Sequence, residues 1–300
     1  MIPLGILTDE ISQDVAHALD VAVELGFSYV ELRSFWEKNI IDLSDSEVVQ
    51  VKRLITDRGL QVCAIASPFF KCDLDLVPSE GETETPRGDL FYARGGNYTE
   101  QIEMLERSIE LAQTFGTRLV RSFSFWKRNE PAWERDEVME IWETMINRFR
   151  EPLRLAEEAD VILALENEHD CNIATSDEIV RLFQEVRSDH LGLIWDPGNA
   201  FCAGEIRPYP DGYERVKPYI CHVHVKDVHR DPGTGECEWR PIGGGAIDYP
   251  GQFQALRADG YAGVITLETH YRPPEGSPEA GTRESFAGLR RILEELEQKD

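Results

Sequence analysis

Three short apolar runs end on a carboxylate: Val161-Ile-Leu-Ala-Leu-Glu166, Leu191-Gly-Leu-Ile-Trp-Asp196 and Val264-Ile-Thr-Leu-Glu268. A fourth, Tyr219-Ile-Cys-His-Val-His224, carries histidines at its end. By length and Val, Ile and Leu content, each reads as a buried parallel strand. A charge at the exit of such a strand is costly unless it is paired or bound to a cation. Strand alternation puts His222, His224 and Lys226 on one face, and Val264, Thr266 and Glu268 on one face of the next run. Three carboxylates and an imidazole converging on one point would repel one another, and a divalent cation removes most of that repulsion. A set rich in oxygen with one nitrogen suits Mn²⁺ first, with Mg²⁺ and Co²⁺ close behind and Zn²⁺ a further alternative. Taken singly, each acid also fits a loop-opening surface residue and each histidine a core residue. Four at matched strand ends favour a site.

Eight strand–helix alternations position these residues. Strands are expected near 3–8, 28–33, 60–66, 117–122, 161–166, 190–196, 219–226 and 262–268. Helical patterns lie near 12–25, 45–58, 98–115, 134–159, 175–187, 209–217, 249–259 and 282–298. Ser12, Ser44 and Thr175 are candidate N-caps, and Gly26, Gly59, Gly116 and Gly260 follow last apolar turns. The expected fold class is α/β, a (β/α)8 barrel spanning residues 1–300 as one domain, with an open doubly wound sheet as the alternative. The irregular stretches 67–97, 123–133, 199–208 and 227–248 all follow strands, which in a barrel gathers them on the functional face. Loop 67–97 is expected to act as a lid or partner contact, with Lys71 reaching the pocket. Trp36, Phe69, Phe70, Phe123, Phe125 and Trp126 follow early strands and form either an apolar wall or loop packing. Glu31 and Arg33 share a face and are expected to pair with each other. Asp196-Pro-Gly-Asn199 reads as a turn, and the Gly243–Gly245 run lacks the spacing of a phosphate loop.

The chain of 300 residues has 31 Lys plus Arg against 56 Asp plus Glu, a formal charge of −25. Such a surface repels nucleic acid and anionic membranes. No apolar segment is long enough to span a bilayer, and no basic n-region precedes an apolar stretch at the start. The six cysteines contain no C-x-x-C pair, and Cys63 and Cys221, inside expected strands, read as reduced buried thiols, so a cytoplasmic protein is expected.

Together the motifs Asp9-Glu10-Ile-Ser, Tyr29-Val-Glu-Leu-Arg33, Ile65-Ala-Ser-Pro-Phe69, Glu166-Asn-Glu168, Trp195-Asp-Pro-Gly-Asn199, His222-Val-His-Val-Lys-Asp227 and Thr266-Leu-Glu268 carry a resemblance over nearly the whole length. The chain resembles the xylose isomerase-like superfamily of TIM barrels, in the branch of sugar phosphate isomerases/epimerases. That resemblance implies one metal held by Glu166, Asp196, His224 and Glu268. His224 is chosen over His222 because the family's ligand stands six residues before an arginine, here Arg230. Keto-sugar epimerases of the superfamily place a substrate-binding histidine where this chain has Asn199, and Lys226 is typical of the broader branch. His222, Lys226 and Arg230 are candidates for substrate oxygens or a phosphate, or for an internal salt-bridge network with Asp227.

The implied chemistry is proton transfer next to a carbonyl, with Glu166 and Glu268 as acid and base and the metal as Lewis acid. Its first outcome is isomerisation or epimerisation of a sugar, a sugar phosphate or a keto-sugar. The alternative is loss of water, as in a dehydratase acting on a keto-inositol or a 3-keto-sugar. A non-catalytic sugar-binding barrel and an apurinic endonuclease-like hydrolase rank lower, the latter for want of early-strand histidines. The expected partner is a small sugar or polyol, and a homo-oligomer is left open.

Overall fold

A computed structural model describes residues 2–74, 93–127 and 135–298, with side chains from 138 onward in the last stretch. Eight parallel strands close a barrel: β1 (Leu4–Leu7), β2 (Tyr29–Leu32), β3 (Gln61–Ile65), β4 (Leu119–Ser122), β5 (Ile162–Glu166), β6 (Leu191–Trp195), β7 (Ile220–Val225) and β8 (Ile265–Leu267). Each strand pairs with its sequence neighbours, and β1 pairs with both β2 and β8. All eight expected strands are present and the open sheet is not formed. Closure turns one side of every strand inward, so Glu166, His224 and the residues after β6 and β8 meet inside one rim.

Helices wrap the barrel, and local chemistry fixes their ends. Ser44 and Thr175 each complete a capping box, with Glu47 and Glu178 respectively; such a cap contributes about 1 kcal/mol. The first helix (Val15–Leu25) is capped by Asp14 rather than Ser12, the Asp14 carboxylate accepting from the Ala16 and His17 amides. Gly26 ends it with φ +88°, a conformation that a side chain would strain. The pattern expected over 134–159 divides into Arg135–Arg148 and Arg150–Glu158. The helix expected over 209–217 is interrupted: Tyr209 is extended at φ −124° and ψ 137°, and regular helix spans only Tyr213–Val216. Pro208 and Pro210 lack the amides a continuous helix would use.

Three features on the functional face were not expected. Asp196-Pro-Gly-Asn199 opens a short helix (Pro197–Cys202) rather than a plain turn, because the Asp196 carboxylate accepts from the Asn199 amide and Pro197 takes the first helical position. Residues Asp227–Arg230 and Cys237–Arg240 form an antiparallel hairpin. Cys202 and Cys237 are disulfide-bonded, tying that hairpin to the short helix, whereas Cys63, Cys171 and Cys221 remain thiols. The expected lid lies largely in residues 75–92, outside the described residues. Its start packs inward: Phe69 and Phe70 are fully buried, stacked with centroids 3.9 Å apart, and Phe70 packs on Phe125 at 4.1 Å. Phe69, Phe70 and Phe125 are therefore loop packing. Among the described residues, no helix is long and apolar enough to cross a membrane.

Candidate metal centre and the cavity above it

The four strand-end residues converge. Glu166, Asp196, His224 and Glu268 each offer one ligand atom, all within 4.8 Å of one another, and all four side chains are buried. His224 pairs with Thr266 across β7 and β8, and Glu268 follows two residues later on the same side. His224 Nδ1 faces the acids, 3.3 Å from Glu166 Oε1 and 3.4 Å from Glu268 Oε2. Its Nε2 faces away, 3.0 Å from Glu31 Oε2.

The Lys226 ammonium enters the same cluster, 2.7 Å from Glu268 Oε2, 2.9 Å from Asp196 Oδ2 and 3.8 Å from Glu166 Oε1. Burial opposes charge on every member. For Glu268 the Lys226 and His224 charges outweigh it and hold the carboxyl well below the usual range. Burial also opposes ionisation of Glu166, which is lowered nonetheless by His224 and Arg121 against repulsion from Glu268. Asp196 goes the other way: burial, with Glu166 and Glu268 nearby, raises it to about 7 despite Lys226. Among the described residues Asp196 Oδ2 accepts no hydrogen bond, since the Lys226 contact lacks the geometry of one. A buried carboxylate oxygen without a hydrogen-bond donor, among two further carboxylates and an imidazole nitrogen, is a donor set that fits a hard or borderline divalent ion.

The remaining candidates divide. Asn199 belongs to the centre, its amide donating to Glu166 Oε1 at 3.4 Å and to the Asn167 carbonyl at 2.9 Å. His222 lies one layer deeper, 3.0 Å from Glu31 Oε2 and 2.9 Å from Thr266 Oγ1. Lys71 reaches the pocket wall, bonded to Glu168 Oε2 at 3.1 Å and lying over the Phe123 ring. Arg230 does not join them. Its guanidinium donates to the carbonyls of Phe201, Cys202 and Gly235, holding the hairpin to the short helix. Asp227, expected in a salt-bridge network, accepts instead from the amides of Val228, Gly243, Gly245 and Ile247. That explains the glycine run: a Cβ on Gly245 would collide with Asp227 and with the Val228 carbonyl.

The expected Glu31–Arg33 pair is replaced by two separate engagements. Glu31 takes both histidines, while Arg33 binds Asp9 at 2.8 Å, Glu10 at 2.6 Å and Glu268 at 3.1 Å. Arg33 lies beyond the end of β2, where the chain has left strand alternation. Sequence reasoning missed Arg121, whose guanidinium donates to Glu166 Oε2 at 3.1 Å and to the Ala66 and Ser67 carbonyls. Its signal was an arginine inside the apolar strand Leu119–Ser122. It also missed Trp239, on the short hairpin strand Cys237–Arg240, and His270 and Arg272, which stand on the loop after β8.

Above the centre opens a cavity of about 290 Å³, lined by Glu10, Arg33, Lys71, Arg121, Glu168, Trp239, Glu268, His270 and Arg272. Glu268 belongs to both cavity wall and cluster. Residues 19–292 match the family model described as xylose isomerase-like TIM barrel. The chain belongs to that family. Among curated relatives, the inosose dehydratase of Geobacillus thermodenitrificans is 25% identical over 245 residues, covering 76% of this chain and 75% of its own. Among solved structures, the IolI protein with a bound zinc atom matches 98% of this chain and 99% of its own at TM-score 0.73 and 18% identity. An L-ribulose 3-epimerase structure covers 100% of this chain and 97% of its own, at TM-score 0.71 and 19% identity. At these identities the structural likenesses show the fold; the chemistry rests on the side chains of this family member.

Proposed function

We propose that this chain is a divalent-metal-dependent enzyme that removes a proton next to the carbonyl of a small keto-polyol and expels water from it. The observation that carries the reading is Glu268, a carboxylate shared between the cavity wall and the four-residue cluster beneath. A ligand in the cavity therefore meets a base at the edge of the cation site. The volume suits one sugar-sized ring and leaves no room for a polymer. The dehydratase named among the relatives supports this outcome over isomerisation.

Glu166, Asp196, His224 and Glu268 would hold the ion. When bound, it supplies Lewis acidity towards the carbonyl oxygen. The chain's own groups do the rest. Lys226 on Oε2 and Arg33 on Oε1 favour the ionised form of Glu268, and this carboxylate, reaching the cavity wall, accepts the proton α to the carbonyl. Lys71, paired with Glu168 on the opposite wall, donates a proton to the departing hydroxyl, which leaves as water. The proton held on Glu268 and the one lost by Lys71 balance once solvent in the open cavity exchanges both. Trp239 closes the cavity with its ring edge-on to His270, giving the carbon face of a ring an apolar surface.

A second reading, epimerisation, is favoured by Glu166, which approaches His224 Nδ1 from its own strand as closely as Glu268 does. One experiment separates the two. Metal-loaded protein incubated with keto-inositols and 3-keto-sugars in D₂O should give a product lighter by one water. A product that keeps all its hydroxyls and has gained deuterium at the α-carbon points to epimerisation. No exchange and no mass change across the panel, from protein that holds its metal, sinks both.

A further inference from the structure

Beneath the proposed centre lies a second polar layer inside the barrel that none of the chemistry above uses. It consists of Glu31 on β2, His222 on β7 and Thr266 on β8, all fully buried. Polar groups in a barrel interior displace the branched apolar side chains that normally fill it, at a cost in core packing. Glu31 Oε2 is the hub of this layer. It stands 3.0 Å from His224 Nε2 and 3.0 Å from His222 Nε2, and His222 Nε2 is also 2.9 Å from Thr266 Oγ1. Glu31 Oε1 has no hydrogen-bond partner among the described residues, so the carboxylate engages the two rings.

We infer that Glu31 is a positioning residue for the metal centre: by accepting from His224 Nε2 it fixes the imidazole so that Nδ1 is presented to the cation. The inference rests on the proposed metal reading and deepens it. An imidazole has two nitrogens, and the ring can flip. Only one orientation places a bare nitrogen among Glu166, Asp196 and Glu268. A carboxylate on the far nitrogen selects that orientation, holds its proton there, and makes the near nitrogen a better donor. The distances match the division of labour, with Nε2 on Glu31 and Nδ1 on the acids. His222 braces the same carboxylate from the other side, its ring edge-on to His224 at 80° with centroids 5.4 Å apart. Thr266 completes the brace from β8.

The experiment uses Glu31→Gln, which keeps the shape, alongside Ser122→Ala as a buried change outside the triad. In metal-free, ¹⁵N-labelled full-length protein, a downfield imidazole proton coupled to His224 Nε2 is expected in wild type and in Ser122→Ala, and is lost or moved upfield in Glu31→Gln. With metal, chelator competition should show affinity reduced about 10–100-fold in Glu31→Gln alone. The visible spectrum of its Co²⁺ form should change as well. A Glu31→Gln protein with wild-type affinity and an unaltered Co²⁺ spectrum overturns the inference, as does an unchanged Nε2 proton. Wild type that shows the downfield proton but takes up no divalent metal overturns the metal reading itself, a result distinct from either. Should Glu31→Gln fold poorly, Glu31→Asp serves instead: it shortens the reach, and an affinity equal to wild type overturns the inference in the same way.

Discussion

Lys226 Nζ lies 2.7 Å from Glu268 Oε2, and with Asp196 at 2.9 Å it forms a buried ammonium wedged between two acids of the proposed metal centre. The ammonium supplies positive charge where the carboxylates would otherwise face one another. Removing one partner of a buried ion cluster leaves the others uncompensated, at about 3–5 kcal/mol. Lys226→Met should therefore unfold at lower urea concentration in chelator, by roughly that free energy. Added Mn²⁺ should stabilise the variant more than wild type, because the ion then takes over the compensation. Equal stabilisation of both proteins by Mn²⁺ would show that ammonium and ion do not serve the same acids.

Arg121 joins two walls of the barrel through one guanidinium, bonded to Glu166 Oε2 and to the Ala66 and Ser67 carbonyls. A lysine keeps the charge but offers a single point donor instead of a planar fork. Arg121→Lys should leave buried carbonyl oxygens without donors and cost about 2–4 kcal/mol in equilibrium unfolding. A change below about 0.5 kcal/mol, the size of an ordinary surface substitution, would mean the fork is dispensable.

Arg230 offers a contrast, since it binds backbone carbonyls of Phe201, Cys202 and Gly235 and no member of the centre. Arg230→Met should loosen the 227–240 hairpin, raising its rate of proteolysis and lowering stability by about 1–3 kcal/mol. Metal content per chain, read by elemental analysis, should stay at the wild-type value. A loss of metal with intact hairpin protection would return Arg230 to the site.

The barrel was legible because its strands are continuous apolar runs separated by helix-length periodicity; eight of them favour a closed ring over an open sheet, and the closure itself is seen in the pairing of β1 with β8. The four converging residues were legible for a related reason: a charge ending an apolar strand has few tolerable environments. What escaped was contact between distant strands. Strand parity places Glu31 and Arg33 together, yet their partners come from β7 and from the segments after β1 and β8. Trp239 and the disulfide partner Cys237 sit on the hairpin strand Cys237–Arg240, which is short and polar and has no fully buried residue to mark it. The family resemblance implied the ligand set but not the Lys226 ammonium within it, because that placement depends on side-chain reach rather than sequence position.

His169 provides a titration outside the proposed ligands. Burial alone would lower its pKa, but Glu168 Oε1 lies 2.7 Å from Nδ1 and Asp170 is nearby, and together they raise it to about 9 from an ordinary 6.5. A group whose folded pKa is raised binds its proton more tightly in the native state. Its contribution to stability is thus fully present below about pH 6.5 and lost as pH rises through 9. Glu168→Gln removes the carboxylate, so His169 should then titrate near or below its ordinary value and the stability slope across that window should flatten. Imidazole chemical shifts followed from pH 5 to 10 read the midpoint directly, and denaturant unfolding at matched pH reads the slope. An intact protein whose His169 titrates at its ordinary pKa would show that the Glu168 carboxylate does not hold the imidazolium in solution.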